Sequence, residues 1–321
     1  MKIHPTLDAF KFASLRFTLR ADESFQLPHY IGSTLRGGFG TVFKKVVCIS
    51  LDRDCTQCLL KENCAYSYIF ETQQTGKLKA SYDLPEYPHP FIIEPPAESK
   101  CQYESGDELT FTLTLIGKAI DFLPYFVFVY QELGRKGIGK GRGKYTMKKV
   151  ESLLEEPRII YNADSGTLSS DYQTKTFADI VRKSENADVV SLEFLTPTRV
   201  KHRGKLTTAM DFTILMKNLL RRTMLLSELH CGEKLEFDHK ELLKKAGDIE
   251  IVDSALNWQE WERYSSRQKT RIKLGGFAGR ITFSGELTEF MPFIRLGEYI
   301  HIGKGTSFGL GKYEVVKGDR L

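Results

Sequence analysis

The stretch "GKGRGKYTMKKV" (Gly139–Val150) has an echo near the end of the chain, "GKGTSFGLGKYEVV" (Gly303–Val316). Gly141-Arg142-Gly143-Lys144-Tyr145 and Gly309-Leu310-Gly311-Lys312-Tyr313 agree at four of five positions, 168 residues apart. A second echo precedes each loop. "SLRF" (14–17) recurs as "SLEF" (191–194), 177 residues on. Two echoes in the same order, at nearly the same offset, predict a duplicated unit.

Working outward, each half reads strand, helix, strands, glycine loop, closing strand. In the first, Phe17 and Leu19 alternate with Arg16, Thr18 and Arg20, the period of a half-buried strand. Pro28 then opens a helical stripe of Ile31, Leu35, Phe39, Val42, Phe43 and Val46. Gly37, Gly38 and Gly40 inside that stripe call for close backbone packing or a ligand backbone nearby. The polar stretch 162–188 separates the halves. The second half carries a helical pattern over roughly 207–229 and a hairpin predicted to turn at Gly275-Gly276. The fold expected is α+β: tandem ferredoxin-like (RRM-like, βαββαβ) domains, 1–175 and 176–321, the first with a cysteine-rich insertion at 48–64.

A chain of 321 residues with 41% hydrophobic and 27% charged residues has enough apolar material for two cores. It has no apolar run of membrane-spanning length and no signal-peptide pattern, so a cytoplasmic protein without a membrane partner is expected. The net charge of +5 is mild, but the cations are clustered in 134–149, 198–205 and 263–273. Clusters beside glycines and aromatics point to a polyanion, RNA above all. On a strand, Arg267, Lys269, Arg271 and Lys273 would share one face, with Arg263 and the aromatics Trp261 and Tyr264 close by for base stacking. Four cations in line repel one another unless phosphates lie between them.

"LPHYIGSTLRGGFG" (27–40), "TPTRVKHRGK" (196–205), "RYSSRQKTRIKLGGFAGRITF" (263–283) and "HIGKGTSFGLGKYEV" (301–315) together resemble the CRISPR-associated RAMP superfamily. The nearest likeness is to the branch that processes precursor CRISPR RNA. The resemblance implies tandem ferredoxin-like domains with a basic cleft for repeat RNA. It also implies endonucleolytic cleavage without a catalytic metal, leaving a 2′,3′-cyclic phosphate and a 5′-hydroxyl. The alternative is a non-catalytic RAMP subunit holding guide RNA in an interference complex. Partners implied are precursor crRNA and other CRISPR effector subunits, with the protein itself a monomer or homodimer.

Such cleavage needs a base for the 2′-hydroxyl, an acid for the leaving 5′-oxygen and positive charge at the phosphate. Of seven histidines, His29 stands at the predicted start of the first helix, where the dipole disfavours imidazolium and favours a base. Relatives often carry a catalytic histidine in or beside this helix, with a tyrosine or lysine close by. That analogy adds Tyr30, Lys44 and Lys45 as helpers. Some relatives place the histidine after the helix, where this chain has cysteines. For RNA contact the candidates are Arg36, Arg142, Lys144, His202, Arg203 and His301, besides the stripe. The glycine loop adds Gly303, Lys304, Gly305, Gly309 and Gly311, whose backbone N–H groups could form an anion nest. The loop lacks the ending of a nucleotide-binding P-loop.

Cys48, Cys55, Cys58 and Cys64 form C-x6-C-x2-C-x5-C. Clustered thiols in a cytoplasmic protein suggest structural zinc, with an iron–sulfur cluster as the other option. Four thiolates would leave the metal no open position for chemistry. Cys101 and Cys231 read as ordinary buried thiols.

Overall fold

The computed structural model describes residues 6–50, 54–55, 57–72, 87–96, 100–202, 204–207, 209–265 and 270–316. The chain divides into two compact units, residues 12–174 and residues 175–321, the latter joined by the residues up to Lys11. Sequence had assigned that leading segment to the first half. It belongs with the second because Phe10 is fully buried against Phe177, ring centroids 6.3 Å apart.

In the unit 12–174 the first strand, β1 (Lys11–Ala21), is central because its inward residues Leu15, Phe17 and Leu19 are all apolar. It pairs antiparallel on one side with β3 (Glu108–Ile116), Phe17 opposite Phe111, and on the other with β4 (Tyr145–Ser152), Phe17 opposite Val150. With β2 (Phe91–Glu94) and β5 (Arg158–Asn162) the order is β2-β3-β1-β4-β5. Helices α1 (Gly32–Val47) and α2 (Leu123–Lys136) supply the apolar partners of this sheet. Phe39 stacks on Phe126 at 4.4 Å and Phe17 on Phe111 at 4.9 Å. The helix glycines now have their reason. A Cβ on Gly38 would come 2.8 Å from the Leu133 side chain, and one on Gly40 would come 2.5 Å from the Phe70 ring. Both serve close packing, whereas Gly37 meets nothing within 4 Å.

The second unit repeats the order of parts. β6 (Val189–Thr198) is central between β8 (Gly276–Ser284) and β9 (Tyr313–Val316), and β7 (Glu250–Ser254) lies outside β8. Helix α3 (Phe212–Leu226) follows β6, and α4 (Met291–Ile300) precedes the glycine loop. Asp211 caps α3, its carboxylate accepting from the Ile214 N–H at 2.6 Å. The buried Arg222 of α3 gives its Nε–H to the Ile300 carbonyl at 2.8 Å, at the negative end of α4. Burial pulls the pKa of this guanidinium down to about 9.

The hairpin expectation is corrected. Glu262–Ser265 pairs with Thr270–Lys273, ahead of Gly275-Gly276, which is therefore not the turn of that pair; 266–269 lie outside the described residues. Gly276 instead starts β8 against Thr198, where a Cβ would stand 2.6 Å from the Thr198 carbonyl oxygen. That glycine marks a close approach of two strands rather than a turn.

The duplicated Gly-Lys-Tyr has one structural use in both units. Tyr145, buried, donates its hydroxyl to the Tyr130 carbonyl of α2 at 2.8 Å; Tyr313, also buried, donates to the Ile294 carbonyl of α4 at 2.6 Å. Each ring lies against a helix glycine. A Cβ on Gly134 would come 2.9 Å from the Tyr145 ring, and one on Gly297 would come 1.9 Å from the Tyr313 hydroxyl. The tyrosine thus fastens the closing strand to the helix that precedes the loop. Among the described residues no helix is long and apolar enough to cross a membrane.

Candidate functional site

In the unit 12–174, His29 sits on the short segment between a two-stranded pair, Phe25–Gln26 with Gln102–Tyr103, and α1. Leu27, buried, gives its N–H to the Cys101 carbonyl at 2.8 Å, and buried Ile31 is the N-cap of α1. Between these anchors Pro28 and His29 are exposed and Tyr30 is half-buried. The helix therefore begins at Gly32, later than Pro28 suggested, because Ile31 rather than Pro28 locks into the core. His29 lies ahead of the first turn, where the dipole argument made from sequence loses its force.

Of the helpers, only Tyr30 is beside His29. Burial pushes its phenol far above the ordinary tyrosine range, and the Glu94 carboxylate adds to this. It keeps its proton and can offer a hydrogen bond, but it cannot act as a base. Lys44 and Lys45 stand in the last turn of α1. At 1.5 Å per residue they are roughly 18 Å along the axis from its start. Lys44 lies over the Tyr66 ring at 5.2 Å. The two lysines are not part of a centre at His29.

Arg36 was a candidate for RNA contact. Its guanidinium instead packs over Phe70 at 4.7 Å and Phe91 at 5.8 Å, and an Nη–H reaches His89 Nε2 at 3.0 Å. Arginine can only donate, so Nε2 accepts and the His89 proton sits on Nδ1, which donates to Thr72 Oγ1 at 3.0 Å. His89 is a neutral tie between α1, β2 and the end of the turn Ser67–Glu71. Sequence reading missed it because its partners are 53 and 17 positions away. His89→Ala should lower stability by about 2 kcal/mol, through the two lost hydrogen bonds. Thermal denaturation checks this.

The first glycine loop lies against the segment that carries His29. Gln26 and Lys140 exchange two backbone bonds, 3.1 and 2.8 Å, and Ile138 bridges to Gly143. Arg142 and Lys140 are exposed, and Lys144 pairs with Glu23 at 3.2 Å. Arg142, Lys144 and Lys140, the last not singled out by sequence reading, thus lie along the segment that leads to His29.

The second loop is a different object. His301 is fully buried, with φ +57, and its Nδ1–H donates to the Leu310 carbonyl at 3.1 Å. It shapes the loop and is inaccessible to RNA, which corrects the expectation. Gly309 and Gly311 are corrected likewise. Their N–H groups go to the Thr306 and Pro197 carbonyls at 2.8 and 3.3 Å, and both residues are buried. The Lys304 N–H is also used, by the Arg199 carbonyl at 3.0 Å. A nest of free amides across the whole loop is therefore absent among these residues. Gly303, Lys304 and Gly305 remain half-buried. Beside them Arg199 is half-buried, its pKa lowered by burial, and its buried Nε–H has no partner among the described residues. Sequence reading quoted the run containing Arg199 but singled out His202 and Arg203 instead. His202 is half-buried in the small hairpin Lys201–His202 and Lys205–Leu206. Arg203, Arg267 and Lys269 lie outside the described residues. Arg263 and Arg271 stand on the paired strands 262–265 and 270–273, Arg263 opposite Ile272 and Arg271 opposite Tyr264; Lys273 is exposed.

Cys48 follows α1, and Cys55, Cys58 and Cys64 border the turn Lys61–Asn63. All four are half-buried free thiols, and among the described residues no three His, Cys, Asp or Glu side chains are grouped to hold a metal. As placed, the thiols do not fit a metal centre, and no chemistry is derived through one. Cys101 is exposed, contrary to expectation, while Cys231 is mostly buried and its thiol pKa is pushed up to about 11.

Comparison with known proteins places this geometry. Residues 10–173 match the family model AF_1859_N, an N-terminal domain, and residues 192–313 match the model of the CRISPR-associated endoribonuclease Cas6. An uncharacterized protein of Archaeoglobus fulgidus is 25% identical over 91% of this chain and 93% of its own. Among solved structures, a Cas6 (TTHB231) product complex superposes with a TM-score of 0.58 at 16% identity, over 95% of this chain and 100% of that one. Thermus thermophilus Cas6 (TTHB231) gives 0.55 at 14%, over 96% and 99%. These structures share the mixed α/β fold with antiparallel sheets. Matched over just more than half of its length by AF_1859_N, the chain belongs to that family, and its second half carries a match to the CRISPR-associated endoribonuclease Cas6.

Proposed function

We propose that this enzyme binds CRISPR repeat RNA and cleaves precursor crRNA by attack of a 2′-hydroxyl on the adjacent phosphorus, with no catalytic metal. His29 takes the 2′-hydroxyl proton as the new P–O2′ bond forms. The P–O5′ bond breaks, and the 5′-oxygen leaves with a proton from an acid or water. The products are a 2′,3′-cyclic phosphate and a 5′-hydroxyl. The observation that carries this reading is an exposed imidazole three residues after Gln26, whose backbone pairs with a loop of cations in the same unit. The two units are read as copies of one ferredoxin-like βαββαβ element. Support comes from the shared strand order, with the strand after each loop beside the first strand of its unit.

Incubation of pure protein with repeat RNA in excess EDTA should give cyclic-phosphate ends, and a 2′-deoxy residue at the cleaved bond should stop the reaction. Binding without cleavage would instead mark a guide-holding RAMP subunit. A structural metal on the four cysteines rests on their spacing alone; zinc and iron analysis of native protein tests it.

A further inference from the structure

The function of the first glycine loop is not absorbed by the tyrosine lock, which needs only Gly134 and Tyr145. The rest of the loop is built around cations. Lys136, Lys140 and Arg142 are exposed, and none makes an ion pair or side-chain hydrogen bond among the described residues. Nearby Arg135 and Lys144 are paired, with Glu132 and Glu23. The loop is also held rigidly for its size. A Cβ on Gly137 would stand 1.9 Å from the Arg142 carbonyl oxygen, one on Gly139 would stand 2.3 Å from that of Gln26, and one on Gly143 would stand 2.6 Å from that of Ser24. Gly139 and Gly137 have φ of +72 and +81, and Arg142 itself is held at φ +49. An arginine in that left-handed conformation carries strain that glycine would not. In the second loop the matching position is Leu310, fully buried and absent from the left-handed set. One copy of the loop has an apolar plug where the other holds a cation in a strained, exposed position. The segment this loop pairs with, Ser24 to Leu27, runs straight on to His29.

We infer that the first glycine loop is the phosphate clamp of the cleavage site, with Lys140 and Arg142 binding the RNA phosphates next to the bond at His29. The inference rests on the cleavage reading above. It assigns to this loop the charge stabilisation that Lys44 and Lys45 are too distant to give. A rigid backbone carrying two cations holds charge where the phosphorane develops, with little reorganisation at the moment of reaction.

The test uses the full-length protein and repeat RNA from the same array, with Lys140→Ala, Arg142→Gly and the double variant. At saturating protein, single-turnover cleavage should fall about tenfold or more for each single variant. The salt dependence of binding should become shallower by about one unit of log–log slope per cation removed. Arg142→Gly should melt no lower than wild type, since glycine accepts φ +49 freely, so its lost activity cannot be a folding defect. Lys140→Arg should keep most of the rate. Wild-type rate and slope in the double variant overturn the clamp. If the wild type binds repeat RNA without cutting it, the cleavage reading fails, and the salt slopes alone still decide whether the loop holds phosphates.

Discussion

His29→Ala should leave repeat-RNA binding within a few-fold of wild type and reduce single-turnover cleavage by about 10²–10⁴-fold, the range supplied by a positioned general base. That corresponds to about 3–5 kcal/mol of transition-state stabilisation. Among the described residues of the unit 12–174 the histidines are His29 and His89, and the geometry leaves the first as the candidate. His89 is held neutral with both nitrogens occupied, and His301 and His230 are buried. His239 begins a short helix at His239–Lys245, in the other unit. Added imidazole should restore part of the lost rate, because the cavity left by alanine is open to solvent. Lys44→Ala and Lys45→Ala, placed at the far end of α1, should change the cleavage step by less than about threefold at saturating protein. A His29→Ala enzyme that cuts at the wild-type rate would remove His29 from the chemistry. A large loss from Lys44→Ala would mean that the productive arrangement differs from this one.

Which features were readable from sequence follows from where their physics resides. The duplication was readable because its cause is local. A glycine turn followed by Lys-Tyr and a strand has to look alike if it does the same job twice. The apolar period of β1 and the stripe of α1 were equally local, and both appear in the fold. Arg36 was misread because what turns it inward, Phe70, His89 and Phe91, comes from residues far along the chain. Gly276 was misread as a turn because a glycine demanded by a neighbouring backbone looks the same in sequence as one demanded by its own φ. His301 beside a glycine loop looked like a ligand-binding residue. Its side chain is satisfied by the loop's own Leu310 carbonyl, a contact no spacing rule foretells. The pairing of Lys140 with Gln26, on the segment that leads to His29, spans more than a hundred residues, so it became visible only in the fold.

The second large effect concerns the lock itself. Replacing glycine by alanine inside a helix ordinarily stabilises it by about 1 kcal/mol. Gly297→Ala in α4 should do the reverse, because the new methyl would lie 1.9 Å from the Tyr313 hydroxyl, far inside contact distance. Tyr313 cannot yield easily. Its ring is fully buried, it packs 5.5 Å from Phe194, and its hydroxyl is fixed on the Ile294 carbonyl. Overpacking and the lost hydrogen bond together outweigh the helix gain, for an expected net cost of about 2–4 kcal/mol. Tyr313→Phe alone should cost only about 1 kcal/mol, the worth of one hydrogen bond. It also removes the atom that the methyl strikes, so the double variant should be more stable than the sum of the single costs by at least about 1 kcal/mol. Denaturant titration of the four proteins of this cycle measures that coupling. Strict additivity would show that Gly297 and Tyr313 do not meet as described, and with that the common purpose of the two Gly-Lys-Tyr loops would be lost. A coupled result would mean that the repeated motif is kept for closure of each unit. The differences between the copies, Arg142 against Leu310 above all, are then where the two loops have diverged in function.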